Sequence, residues 1–563
     1  MFPLLLFLLA FSPALQPPGQ PPAPAGRQIQ EQPQLQPQSP TAVSDNIRCY
    51  IEQLQELSRQ AGAERKALNT QMYRFYDVRA YQPVWTSRQA AARLLKLIEQ
   101  SEEEGLVPSD YHLVEIRNFY NRPPDTPFLR ARADVLMTDA FMTLALHLRF
   151  GKVNPVKLDP DWNIPDGAGK SGLEYRVQNA IMSDRFDQLM QELRPQHPKY
   201  LLLKKGLARY RAIAAAGGWG TVPSGAKLER QGVSDPRIPA IRRRLAVTGE
   251  YTARVPDTSR VYSADLFDAV IKFQKRHGIK IDGVIGNETV EAMNVPVRQR
   301  IDDIRVNLER YRWFISEMGP TYLMVNIAAF TIDMVENSAP RWSSRVIVGQ
   351  PYRKTPVFRA EMQYIILNPQ WVVPPGILEK DALPAIRKDI SYLRKKQLSV
   401  VDRNGKVVSP GSVNWSAYTA SSFPYRLRQT SGDHSSLGRI KFMFPNKHVV
   451  YLHDTPTKNL FEESQRTFSS GCIRVENPLD LAVIVMHDPV RWSKPNILAA
   501  INTGKTQTIF LPRRIPIFLL YLTATVDSEE SVMFRKDVYE RDREVLDALD
   551  RPFANRIVES CAF

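Results

Sequence analysis

The sequence predicts a multidomain α+β protein with an all-α N-terminal half, a small three-helix module and a β-rich C-terminal domain interrupted by a lid-like insertion. Three observations carry this. At 563 residues the chain exceeds what one hydrophobic core serves, and 43% hydrophobic with 24% charged residues is the composition of a folded protein. Up to about residue 225, apolar residues recur at helical spacing. From about residue 320, β-branched and aromatic runs such as "YLMVNIAAFTIDMVEN" and "QYIILNPQWVVP" alternate with Pro, Gly and Asn turns.

Residues 1–14 read as an export signal: "MFPLLLFLLAF" is apolar, and Ser12 and Ala14 are small residues spaced as a signal peptidase site requires. The apolar run is too short for a confident spanning helix. It also lacks the usual basic start, the first Lys or Arg being Arg27. Residues 15–45 follow as a linker, because Pro and Gln fill 17 of the 29 positions from 12 to 40 and such a tract has little to bury.

The segment 46–232 is expected to be helical, on stretches such as "ARADVLMTDAFMTLALHLRFGKV". Residues 233–296 form the small module, in which Leu266, Val270 and Phe273 share a helical face. Gly278 can cap that helix, Asp282-Gly283 can turn, and Asn287 can cap the next helix. A connecting helix at 297–319 leads into the β-rich domain, 320–535, and residues 536–563 are a tail. The insertion, 376–440, is expected to be helical at first and then loop-like, a candidate lid beside a candidate site.

Lys and Arg total 75 against 59 Asp and Glu, a net charge of +16, which suits nucleic acid, anionic headgroups or cell-wall carboxylates alike. No zinc finger, RNA-binding aromatic motif or long basic run is present, so nucleic acid is not expected as a partner. Eight His, without a Cys-x-x-Cys pair or a His-Glu-x-x-His helix, give no expectation of a metal, and no cofactor is expected. Cys49, Cys472 and Cys561 are too few for a disulfide framework, although Cys49 and Cys561 can pair with each other.

Cys472 stands in "RTFSSGCIRVENP". A lone cysteine is ordinarily a small buried apolar residue. To react it needs a base, and His453 in "KHVVYLHDTP" is the nearest candidate upstream. On a strand, Val449, Tyr451 and His453 would share one face, with His448 on the other. Gly471 allows its own amide and that of Cys472 to converge on one point, where they would hold an oxyanion. A helix can begin near Asn477 and Pro478, too far on to activate the thiol.

These residues resemble a known family. "RIKFMFPNKHVVYLHDTPTKNLFEESQRTFSSGCIRVENPLDLA" is similar to the catalytic signature of L,D-transpeptidases, with His453, fifteen residues, then Ser469, Ser470, Gly471, Cys472, Ile473 and Arg474. Where many members carry a second His, this chain has Ser470. "AVIKFQKRHGIKIDGVIGNETVEAMN" resembles a peptidoglycan-binding domain; a three-helix spacer that binds nothing is the alternative. The segment 46–225 resembles the scaffold domain of the large periplasmic branch.

The resemblance implies a periplasmic enzyme acting on peptidoglycan stem peptides. Cys472 would attack the carbonyl of a third-position diamino acid in a donor tetrapeptide, with His453 handling the proton and the Asp454 carbonyl steadying the imidazole. D-alanine leaves, and an acceptor amine then takes the acyl group from the thioester. Arg474 would hold a substrate carboxylate or pair with Glu476; Tyr451 and Ser470 would line the site, and Trp371 and Trp415 would wall the groove. Trimming of stems as a carboxypeptidase, or an inactive cell-wall-binding scaffold, remain the alternatives. Cell-wall synthases are the further partners this reading allows, and the sequence sets no oligomeric state.

Overall fold

The structure, a computed structural model, describes residues 40–59, 61–165, 172–252 and 258–553. The signal segment, most of the linker and Cys561 lie outside them. One correction falls at the linker's end. A helix already runs Pro40–Leu57, where the linker was expected to reach 45, because Ile47, Tyr50, Ile51 and Leu54 bury one face against the helical core.

That core centres on the helix Pro127–Phe150, started by Thr126 Oγ accepting from the Leu129 N–H and buried along nearly its whole length. The small module comprises the helices Ile238–Thr248, Ala264–His277 and Asn287–Asn294 around a core of its own. Gly278 ends the second helix at φ 62° as expected, whereas Gly286 rather than Asn287 occupies the cap before the third. The module docks on the β-rich domain: His277 stacks on Phe534 at 5.7 Å, and Arg535 Nη1 donates to the Arg276 carbonyl at 3.0 Å.

The connecting helix, Val297–Phe314, and the scaffold helix Pro198–Ala215 share one apolar core with the β-rich domain. The main sheet runs in the order Thr467–Ser469, Ala339–Gly349, Ile473–Val475, Leu452–His453, Ile440–Met443, Phe358–Leu367, Gln507–Leu520, Tyr322–Asn326 and Thr331–Glu336. Thr331–Glu336 also pairs with Ala339–Gly349, closing the sheet on itself. The long strand Gln507–Leu520 bulges between Phe510 and Ile515, which accommodates Pro512 without a ladder donor.

The insertion departs from expectation in its second half. After helical segments from Pro375 to Lys395, the strands Leu398–Val401, Val407–Val408 and Arg426–Gln429 join Trp371–Val372 in a small sheet with a separate core. The tail, for which the sequence sets no structural expectation, carries a helix. The helix Asp542–Asp550 packs beside the connecting helix through Val306, Val545 and Leu549. Buried Lys152 of the helical half donates to Asp110 Oδ2 and to the carbonyls of Leu549 and Arg551, all within 2.7 Å. Cys49 is disulfide-bonded. No helix among the described residues is long and apolar enough to cross a membrane.

Candidate active site

Two short neighbouring strands bring the candidate nucleophile and base together. Leu452–His453 pairs in parallel with Ile473–Val475, with His453 opposite Arg474 and Leu452 opposite Ile473. Alternation of side chains then sets Tyr451, His453, Cys472 and Arg474 on one face, so His453 and Cys472 are diagonal neighbours. All four line a cleft of about 470 Å³ together with Ser470 and Trp371.

Val449 does not continue this face. It sits in a turn at φ 55°, 71% exposed, and its carbonyl faces Cys472 Sγ at 3.8 Å. A β-branched residue in this conformation is strained, and such strain gathers at functional sites. His448 lines the same cleft rather than being turned away, packed on Phe358 at 4.9 Å and 3.8 Å from Asp161. Asp161 belongs to the helical half, so that half contributes to the cleft rim. Trp415, expected in the groove wall, lies in the insertion's core, its indole donating to the Pro410 carbonyl.

His453 is buried, and its Nδ1–H donates to the Asp454 carbonyl at 2.5 Å, leaving Nε2 as the nitrogen able to accept a proton. Burial, with Arg474, Lys441 and Lys458 nearby, pushes its pKa down to about 3, so the ring is neutral. Burial also pushes the Cys472 thiol up, against the hydrogen bonds of Tyr451 and the charges of Lys441 and Arg474, which favour the thiolate. The resting pair is therefore neutral thiol and neutral imidazole.

The wiring of the nucleophile loop differs from expectation at Gly471. Its N–H donates to Ser469 Oγ at 3.1 Å, and Ser469 Oγ donates to the Cys472 carbonyl at 2.5 Å. This removes Gly471 from an amide pair. The Cys472 N–H makes no hydrogen bond among the described residues and is the main-chain donor left for an oxyanion. Gly471 serves the loop otherwise: its φ of 113° suits glycine, and its carbonyl accepts from Thr355 Oγ1 at 2.9 Å.

Arg474 does not pair with Glu476, which binds Arg345 instead. Its Nη1 donates to Thr457 Oγ1 at 3.2 Å, and its buried Nε has no partner. Ser470 Oγ accepts from Arg353 Nη1 at 3.0 Å. Tyr451 is buried beside His453, with ring centroids 5.6 Å apart, and Lys441 Nζ lies 3.7 Å over its ring.

Several supports carried no sequence signal. Lys441 stands opposite His453 on the other neighbouring strand, so the imidazole lies between Lys441 and Arg474. Gly349 lies so close to the nucleophile loop that a Cβ there would meet the Arg353 carbonyl at 2.1 Å and Gly471 Cα at 3.1 Å. Tyr539, from the segment after the last strand, donates to the Gly349 carbonyl at 2.6 Å and accepts from the Thr355 N–H at 3.2 Å. The Asp454 side chain accepts from the Arg439 N–H and from Lys458 Nζ, at 2.9 and 2.6 Å. Among the described residues, no three His, Cys, Asp or Glu gather as a metal site would require.

Comparison with known proteins agrees with this geometry. Residues 320–491 match the L,D-transpeptidase catalytic domain, residues 70–207 the scaffold domain, and residues 234–293 the "Putative peptidoglycan binding domain". The "Putative L,D-transpeptidase" of Haemophilus influenzae is 34% identical over 223 residues, which span 40% of this chain and 45% of that protein. A solved L,D-transpeptidase fragment from Xylanimonas cellulosilytica is 13% identical, covering 53% of this chain and 100% of its own, with a TM-score of 0.18.

Proposed function

We propose that this chain, which carries an L,D-transpeptidase catalytic domain at residues 320–491, joins peptidoglycan stem peptides through a thioester on Cys472. The observation that supports the residue assignment is the diagonal placement of His453 and Cys472 on paired strands, facing one cleft.

In the first half-reaction, His453 Nε2 takes the thiol proton as Sγ attacks the carbonyl carbon of the donor's third residue. The Cys472 N–H faces the oxyanion that forms. Collapse breaks the C–N bond, and the imidazolium returns its proton to the departing D-alanine amine. In the second half-reaction, the side-chain amine of another stem attacks the thioester, His453 accepts its proton, and the C–S bond breaks to regenerate the thiol. The Nδ1–H bond to the Asp454 carbonyl fixes the tautomer that leaves Nε2 without a proton and able to take one from the thiol.

Water competes with the amine, and the insertion above the cleft is the element suited to exclude it. The leader-like residues 1–14 support export to the periplasm, where the substrate lies. The test is purified enzyme with tetrapeptide muropeptides, read by mass. Dimers lacking one D-alanine support transpeptidation; shortened monomers alone would make the protein a carboxypeptidase; no change in either would overturn the reading.

A further inference from the structure

Arg353 follows the strand Ala339–Gly349 and lines the cleft that holds Cys472. Its guanidinium grips Asp381 as a fork, Nη1 to Oδ2 at 2.6 Å and Nη2 to Oδ1 at 2.7 Å, while Nη1 also reaches Ser470 Oγ at 3.0 Å. Ser470 stands two residues before Cys472. A carboxylate is thus already seated beside the nucleophile loop.

That carboxylate comes from the insertion. Asp381 lies on the π-helical turn Leu378–Ala382, a backbone form that recurs at functional sites. The insertion has its own core, and among the described residues Arg353–Asp381 is the one ion pair joining residues 376–440 to the rest of the chain. Asp381 remains 41% exposed, so a solute can reach the pair.

We infer that Arg353 is the binding residue for the C-terminal carboxylate of the donor stem, and that Asp381 occupies its seat until the donor displaces it. The inference rests on the reaction proposed above, in which the attacked carbonyl is one residue away from that terminal carboxylate. The guanidinium fork matches a planar carboxylate from either source. Exchanging one carboxylate for another keeps Arg353 paired, so the displacement leaves no buried charge uncompensated. Loss of the pair also releases the insertion from the nucleophile loop, which couples donor entry to movement of the lid.

The experiment measures binding of two peptides to the full chain carrying Cys472→Ala: a tetrapeptide stem ending in D-alanine, and the same peptide with a C-terminal amide. Arg353→Met should weaken the acid by roughly ten- to a hundredfold while changing the amide much less, the range of a charged, bidentate hydrogen bond. Asp381→Asn, which removes the internal competitor, should tighten the acid by a few fold. Equal losses for acid and amide, or weaker acid binding in Asp381→Asn, would overturn the inference. Because binding is read without turnover, these outcomes stand apart from failure of the wild-type enzyme to process muropeptides, which would overturn the proposed reaction instead.

Discussion

His453 and Asp454 are consecutive residues, yet the ring of the first is held by the main chain of the second, Nδ1 to carbonyl oxygen at 2.5 Å. Asp454 is itself tied through its carboxylate to Arg439 and Lys458, and Gly438 leaves the room it needs: a Cβ there would meet Asp454 Oδ2. The tautomer of the base is thus set by Asp454, which is not among the residues lining the cleft. His453→Ala should slow acylation of Cys472 by about 10² to 10⁴, the usual contribution of a positioned base. Asp454→Ala, which keeps the carbonyl but frees the loop, should cost less. Adduct formation on Cys472 with a tetrapeptide stem, followed by intact mass, checks both, and full-rate acylation in His453→Ala would refute the assignment.

The neutral pair has a signature in pH. With the imidazole pKa pushed down to about 3 and the thiol pushed above its ordinary value, neither group titrates between about pH 5 and 7.5. The acylation rate should therefore be level across that range. An inflection near 6.5, the ordinary histidine value, would mean that His453 is more solvated or more favourably paired than the structure indicates.

The same depression affects stability. Unfolded His453 binds a proton below about 6.5, whereas the folded form stays neutral down to about 3. Between these values the unfolded state holds the extra proton, so acid favours unfolding by up to about 1.4 kcal/mol per pH unit. A His453→Asn variant lacks this penalty. Its melting temperature should rise relative to wild type as pH falls from 6.5 to 4.5; a constant difference between the two proteins would contradict the depressed pKa.

Gly349 offers a steric test. Its added methyl would overlap the Arg353 carbonyl at 2.1 Å and press on Gly471 Cα. Gly349→Ala should destabilise the protein by about 1–3 kcal/mol, the range for overpacking, and should reduce acylation by shifting the Gly471–Cys472 backbone. Thermal unfolding combined with adduct rates checks this, and wild-type behaviour in both would show that the turn has slack.

What the sequence revealed follows the range of the forces involved. Helices and their caps depend on neighbours a turn away, so the three-helix module and Gly278 were legible. The signature joining His453 to Cys472 was legible because both strands lie within a short stretch of chain. The choice Gly471 makes was not, since its N–H had two possible uses and only the loop's conformation decides for Ser469. Arg353 with Asp381, and Tyr539 with Gly349, meet across long separations that leave no periodic trace. The sheet within the insertion escaped notice because its strands are two to four residues long and carry charges such as Arg426 and Arg428.

Lys152 waits for Leu549 and Arg551, partners almost four hundred positions later. Without residues 542–553 in place, this buried cation lacks two of its three acceptors. Completion of that interior is thereby tied to the docking of the tail helix, so the two ends of the described chain close as one cooperative unit.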